Sequence, residues 1–249
     1  EGELAIPFLL YGPGVPPGSH AVNPLTVTMD QARTIQANFA SNGAQIMTWT
    51  GSGNWFTATN WNPAGIPGVL DTAIINGSNN LFEPVTVASL TVNSGAWLVF
   101  GSTTAVVRAT DIAVQGTVTH TPCTATTTNA LGQWVPNSRV YLVGDAVTIA
   151  SGGKIDANGK GYYGFYTGLN ANNCGAGPGG GGSWGGAGNG GHGGNFSATA
   201  GRPYGAYAAP ADPGSGGGNG NGGGGGGSGG GQVWIEATNL LVNGSITVN

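Results

Sequence analysis

The glycine-rich stretch from Gly159 to Gly231 limits the possible fold more than any other part of the chain. It holds 33 of the 51 glycines in 73 residues, so it lacks the side chains needed to bury a hydrophobic core. Two structures remain open for such a stretch. It is either a solvated, disordered tract, or backbone that packs against itself as polyglycine II, a helix of the polyproline II type without side chains.

Similar sequences flank this stretch on both sides. Residues 145–159 and residues 237–249 each contain an apolar strand, a turn with glycine, a short second strand with isoleucine, and asparagine. This similarity predicts successive coils of one solenoid, with residues 160–231 inserted at one corner. The two ends of the insertion then lie about one strand spacing apart, ~4.8 Å. Fixed ends favour ordered glycine segments, against which stands the large entropy that glycine loses on ordering.

Short apolar strands and glycine turns continue through residues 85–153. Apolar residues alternate there with small or polar residues, and no helical period of comparable strength appears. The pattern predicts an all-β fold, a parallel β-helix (solenoid) with about 20 residues per coil. Each coil of a solenoid buries its inner side only against its neighbours. The last coil ends at Ile246-Thr-Val-Asn249 without a capping segment, so we expect its end to be exposed.

The beginning of the chain has a different pattern. Residues 1–18 combine the apolar run from Leu4 to Tyr11 with a proline- and glycine-rich turn, and the prolines confine any strand to a sheet edge. This arm either adds a strand to a neighbouring molecule or packs on its own domain as an edge strand. Residues 19–47 alternate apolar residues with threonine before a turn near Asp30 and alternate again after it, which predicts a β-hairpin.

Two stretches resemble known bacterial surface proteins. Val27-Thr-Met-Asp30 and Thr34-Ile-Gln-Ala-Asn-Phe39 resemble the closing half of the divergent internalin-type B-repeat, whose opening half is not recognisable in this chain. Trp49-Thr-Gly51, Asn60-Trp61 and the glycine-rich stretch resemble the glycine-rich, autotransporter-like β-solenoid proteins of the bacterial surface. That family is defined by architecture rather than by activity, so the resemblance implies a fold and an extracellular location and no chemistry.

The surface expected for this chain is poor in charge. Charged residues make up 6% of the sequence, against about 25% in ordinary globular proteins. A charge content this low is commoner outside cells than in the cytoplasm. The net charge of −4, with six scattered basic residues, leaves no basic stripe for nucleic acid. No apolar run reaches the roughly 18 residues needed to span a bilayer. The first ten residues lack the basic start of a signal peptide, so we interpret them as a processed end.

No cluster of catalytic or metal-binding residues stands out in the sequence. The ten carboxylates are spread along the chain, and the nearest pair in the solenoid, Asp145 and Asp156, sits at turns where aspartate ordinarily bonds backbone. His20, His120 and His192 have no metal-ligand partners at close spacing. We therefore predict no enzyme, no cofactor and no metal.

The cysteines and several aromatic residues leave alternatives open. Cys123 and Cys174 form one disulfide in an oxidising compartment, or they remain thiols. The tryptophans at positions 49, 55 and 61 either line a carbohydrate-binding platform or cap the apolar end of the solenoid core. The candidate glycan contacts are Trp55, Trp61, Trp184 and Tyr204.

These patterns divide the chain into five parts. They are an N-terminal arm (1–18), a partial B-repeat-like β-hairpin (19–47), a β-solenoid (48–159), the glycine-rich insertion (160–231) and a final solenoid coil (232–249). The favoured function is a non-enzymatic extracellular structural protein that assembles with copies of itself into a filament or surface layer, by strand addition and at uncapped solenoid ends. The expected subunit contacts are Leu4, Ile6, Phe8, Leu9, Leu10, Ile246 and Val248. The alternative is a carbohydrate-binding or adhesive module with glycan partners, and a polysaccharide-active enzyme or an ice-binding protein ranks below both.

Overall fold

The chain divides into two units, residues 1–42 and residues 43–249. The computed structural model describes residues 4–6, 25–27, 43–165, 174–189, 192–194, 199–205, 211–220 and 225–249. Phe8, Leu9 and Leu10 lie outside the described residues, as does the predicted second hairpin strand at Thr34–Phe39.

Sixteen β-strands and one turn of 3-10 helix, Ala58–Asn60, make up the regular structure of the described residues. In chain order the strands are β1 (Leu4–Ile6), β2 (Leu25–Val27), β3 (Ile46–Trp49), β4 (Ser52–Asn54), β5 (Trp61–Asn62), β6 (Thr72–Ile75), β7 (Ser78–Leu81), β8 (Val85–Thr86), β9 (Ser89–Val92), β10 (Trp97–Phe100), β11 (Val107–Val114), β12 (Thr117–His120), β13 (Val140–Ile149), β14 (Lys154–Asp156), β15 (Val233–Val242) and β16 (Ser245–Thr247). The prediction of an all-β protein is confirmed for this part of the chain.

The first unit contains a two-stranded antiparallel sheet. Strand β1 pairs with β2, so that Leu4 lies opposite Val27 and Ile6 lies opposite Leu25. The arm therefore contributes a strand to its own chain. Whether it also adds to a neighbouring molecule stays a prediction.

The second unit is built from two sheets whose strands run parallel. Six strands form one sheet in the order β16-β14-β12-β10-β7-β4, and eight form the other, with the path β15-β13-β11-β9-β6-β3-β5 and β8 beside β11. From β9 onward the chain visits the two sheets alternately. Pairing is parallel throughout these sheets except between β3 and β5. Because β3 pairs with β6, the unit begins before the predicted boundary at residue 48.

The sequences that flank the glycine-rich stretch are neighbours in both sheets. Ile149 of β13 lies beside Val242 of β15, and Ile155 of β14 lies beside Ile246 of β16. The predicted match between the two flanks is confirmed. Residues 157–232 therefore leave and rejoin the sheets at adjacent strands.

Alternation of apolar and polar residues places the core between the sheets. Ile75, Val92, Val114 and Ile149 lie in register on neighbouring strands, and none of them is exposed to solvent. The other sheet contributes a second set of buried residues, such as Leu98, to the same cluster. Each such side chain contributes about 1.5–3 kcal/mol relative to an exposed position.

Three tryptophans fill the end of the core near β3. Trp49, Trp55 and Trp61 are at most 2% exposed, and the ring of Trp61 meets the other two edge-to-face at centroid distances of 5.3 and 4.8 Å. The indole N–H of Trp61 donates to the carbonyl of Trp55 at 2.8 Å. The prediction that Trp55 and Trp61 contact glycan is wrong, because their ring faces are packed inside the protein. The core-capping alternative accounts for all three.

Candidate functional site

Strand β15 is the last strand of the eight-stranded sheet, and among the described residues it pairs with β13 alone. Leu240 and Val242 lie in register with Val147 and Ile149, which are fully buried. They are nevertheless 50% and 44% exposed. Strand β15 thus has residues at core positions that are about half exposed, and no further strand of the described residues pairs with its outer edge.

The opposite edge of the same sheet is constructed differently. There β5 runs antiparallel over β3, with Thr48 opposite Asn62. The tryptophan cluster fills the space between the sheets behind it. The two edges are therefore not equivalent, and the edge at β3 is the one that is closed by packed side chains.

The residues predicted to form contacts between subunits do not all lie at one place in the structure. Ile246 packs against the core cluster, whereas Val248 is 48% exposed. Leu4 and Ile6 lie in the separate two-stranded sheet. Leu240 and Val242 were missed, although aligning Leu240-Leu-Val242 with Val147-Thr-Ile149 across the repeat would have placed them at core positions.

Backbone hydrogen bonds join the glycine-rich residues in several directions. We call residues 161–165, 174–182, 184–189, 199–202, 213–219 and 225–231 the glycine segments. In segment 213–219, the N–H of Gly214 donates to Gly230, that of Gly216 to Ala176, and that of Gly218 to Gly185, at 2.8 to 3.0 Å. A strand in a sheet bonds to neighbours on only two sides. This segment also accepts from Tyr162, so it bonds to four others.

These backbone contacts between glycine segments are possible only at residues without a side chain. A Cβ atom at Gly164, Gly175, Gly216 or Gly226 would overlap a backbone carbonyl oxygen of a neighbouring segment. Glycine allows this close approach of one backbone to another. The described glycine segments are therefore packed against each other and are not solvated individually.

His120 holds the point where the chain returns to the sheets. Its Nδ1 lies 2.8 Å from the carbonyl oxygen of Thr121, and its Nε2 accepts from the backbone N–H of Gln232 at 3.0 Å. The first contact requires a proton on Nδ1 and the second requires a lone pair on Nε2, so the ring is neutral. Burial lowers the pKa of His120 to about 4. Sequence spacing contained no signal for this role, because the partner is 112 residues away.

Tyr162 anchors the start of the glycine segments. It is fully buried with Cys123 and Ala176, and its ring meets Trp134 edge-to-face at 5.3 Å. Burial raises the pKa of the Tyr162 hydroxyl. Cys123 is buried here and is not joined to Cys174 by a disulfide, so the disulfide alternative is not the one observed.

The remaining candidate glycan contacts lie within the glycine-rich part. Trp184 is 38% exposed, and its backbone N–H donates to the carbonyl of Asn219 at 2.7 Å. The hydroxyl of Tyr204 donates to the carbonyl of Pro213 at 2.6 Å, so it is already used in the fold. Asp156 is the last residue of β14, lies 3.7 Å from the ammonium of Lys154 and accepts from the backbone N–H of Asn158. Asp145 lies inside β13, so the prediction that it sits at a turn is wrong.

Among the described residues no group of three or more histidine, cysteine or acidic side chains is arranged to hold a metal. Within the same ranges, no helix has the length and apolar character needed to cross a bilayer. No family model, curated protein or solved structure matches the chain.

Proposed function

We propose that this protein is a non-enzymatic extracellular structural subunit that assembles with copies of itself into a filament or surface layer. One copy adds a strand to β15 of the next. The observation that carries the proposal is the edge of β15, where Leu240 and Val242 occupy core positions and remain about half exposed. An uncovered strand edge of this kind is a template for pairing with another chain.

The architecture on which assembly rests is a parallel β-solenoid with a polyglycine II insertion. Strand pairs that alternate between two parallel sheets support the solenoid. Glycine backbone that bonds to more than two neighbours supports polyglycine II. A coil in a solenoid is stabilised by the coils on either side, so the coil that contains β15 gains stability from a strand added at its open edge.

The added strand comes from the N-terminal unit of a second copy. Simple end-to-end stacking of two solenoids is disfavoured, because β5 runs antiparallel over β3 at the other end. The described part of the sheet formed by β1 and β2 has two strands of three residues, and a two-stranded sheet is marginal alone. Pairing with β15, which has ten residues, would stabilise both partners.

The low charge of the chain and its resemblance to glycine-rich surface proteins support an extracellular location. Only 6% of the residues are charged. Contacts between copies therefore bury few charged groups, and removing charge from water is the costly part of burying a polar surface.

Electron microscopy of the purified protein tests the proposal. We expect filaments or sheets from the full chain and none after deletion of residues 1–11, with an unchanged β signal in circular dichroism. Val242→Asp should also prevent assembly. Leu241→Asp is the matched control, because Leu241 is similarly exposed but lies in register with Thr148 rather than with a core residue. Assembly that survives both the deletion and Val242→Asp would refute strand addition at β15.

A further inference from the structure

A groove crosses the outer side of the eight-stranded sheet. It has a volume of about 740 Å³ and runs across residues 86–88, 108–110, 143–145 and 236–238. Ala109, Gly144 and Ala237 lie in register across it. Ala109 packs against the core cluster, so the groove is lined mainly by the exposed polar residues beside these positions. It crosses β11, β13 and β15 at nearly right angles to the strands, because residues in register follow the hydrogen-bonding direction of a sheet.

The groove contains charged groups that are not paired with each other. Arg108, Asp145 and Glu236 line it together with three threonines. The ion pair seen among the described residues joins Lys154 to Asp156, and neither of these residues lines the groove. Arg108, Asp145 and Glu236 are exposed to solvent. One cation, two carboxylates and several hydroxyls therefore face a ligand without being neutralised by salt bridges to each other.

An aromatic cluster borders the groove at Glu236. The hydroxyl of Tyr141 donates to Oε1 of Glu236 at 2.5 Å, and the rings of Tyr141 and Trp234 meet edge-to-face at 5.6 Å. The guanidinium carbon of Arg139 lies 4.2 Å from the ring centroid of Trp234. Aromatic surface beside donors and acceptors is the usual composition of a site for a ligand that is partly apolar and partly hydroxylated.

We propose that this groove binds a neutral glycan chain laid across the strands. A sugar ring has apolar faces and a rim of hydroxyls, and hydroxyls use both carboxylate acceptors and guanidinium donors. With Arg139 at its border, the groove carries two arginines and two carboxylates, so it has no net positive charge to attract a polyanion. An extended peptide normally binds at a strand edge, where main-chain bonds hold it, whereas this groove crosses the face of the sheet. Successive sugar rings would meet successive strands, which are spaced ~4.8 Å apart.

The groove and the proposed assembly use different parts of β15, because the groove lies on the sheet face and the assembly uses the strand edge. Residues 236–238 of β15 line the groove. A strand added to β15 would lengthen the groove without changing the residues that line it here.

Titration of the full chain with neutral β-linked pentasaccharides of glucose, xylose, mannose and N-acetylglucosamine, followed by calorimetry, tests the inference. We expect at least one of them to bind, and Asp145→Asn and Arg108→Ala each to weaken it about tenfold or more, as for loss of a hydrogen bond to a charged group. Asp111→Asn is the control, because Asp111 is exposed on β11 and does not line the groove. Circular dichroism checks that the variants fold.

Three outcomes would overturn the inference. The first is no binding by any of the four pentasaccharides at millimolar concentration. The second is binding that Arg108→Ala and Asp145→Asn leave unchanged, or that Asp111→Asn weakens equally. The third is tighter binding of an acidic pentasaccharide or of an extended threonine-rich decapeptide, which would assign the groove to another ligand.

Discussion

Alanine at Gly216 and alanine at the adjacent Gly217 should change stability in opposite directions. At Gly216 a Cβ atom would overlap the backbone carbonyl oxygen of Tyr163. At Gly217 the nearest atom would be the backbone nitrogen of Gly227 at 3.7 Å, which is an ordinary van der Waals contact. Neither glycine has a positive φ, so alanine is compatible with the backbone conformation at both.

The size of the effect follows from the hydrogen bonds near Gly216. Its N–H donates to Ala176 at 2.9 Å, its carbonyl accepts from Gly181 at 3.0 Å, and the carbonyl of Tyr163 accepts from Ala176 at 2.9 Å. Separating these segments to admit a methyl group weakens three bonds, each contributing about 1 kcal/mol. Gly216→Ala should therefore lower the free energy of unfolding of the glycine segments by about 3 kcal/mol. Gly217→Ala should raise it by about 0.4–1 kcal/mol, since alanine reduces the entropy of the unfolded chain.

Hydrogen exchange read by mass spectrometry is the suitable assay, because the glycine segments can open without the sheets. Amides of residues 174–189 should exchange faster in Gly216→Ala and slightly slower in Gly217→Ala. If both variants exchange like the parent protein, the segments are not packed as described. Equal acceleration in both would mean that alanine acts through general loss of glycine flexibility rather than through the overlap with Tyr163.

Three further predictions concern the core and the junction. The pKa of His120 is lowered to about 4, against 6.5 for an ordinary histidine, so its contribution to stability is fully present above pH 6.5 and is lost as the pH falls toward 4, by on the order of 3 kcal/mol. His120→Gln should lack this pH dependence when the free energy of unfolding is measured against pH. The same pH dependence in the variant and the parent would contradict the prediction. Asn79 is buried with neither amide atom hydrogen-bonded, so Asn79→Leu should raise the free energy of unfolding by about 1–2 kcal/mol, whereas a loss would indicate a buried water. Trp49→Ala should cost about 3–5 kcal/mol, and the exposed Trp97 provides the control, for which Trp97→Ala should cost much less in the same denaturation experiment.

Local repetition made much of the fold predictable from the sequence. The apolar alternation of Val147-Thr-Ile149 recurs in Leu240-Leu-Val242, so the pairing of β13 with β15 followed from the matched flanks. The glycine content left a disordered tract and packed backbone both open, and the matched flanks favoured packed backbone. In both cases the relevant information lies within a few residues of the feature that it predicts.

Contacts between distant residues were not predictable in the same way. The sequence left Trp55 and Trp61 open between a glycan platform and a core cap, because their burial depends on β5 folding back over β3. Asp145 was considered only with Asp156, although the groove places it with Arg108 and with Glu236, which is 91 residues further along the chain. Sequence spacing cannot indicate that Asp145 and Glu236 are neighbours, because they come together only when β15, which follows the glycine-rich insertion, pairs with β13.

The glycine segments and the open edge of β15 are coupled through the connectivity of the chain. Pairing of β15 with β13 closes a loop that includes the 76 residues from 157 to 232, and closing a flexible loop of that length costs about 4 kcal/mol. Ordered glycine segments reduce this cost, because they hold Gly231 beside Ala157 and Gln232 beside His120. Weakening the segments by Gly216→Ala should therefore increase hydrogen exchange in β15 while leaving β9 unchanged. Equal protection of β15 in the variant and the parent would show that the last strand pair is stable without the insertion.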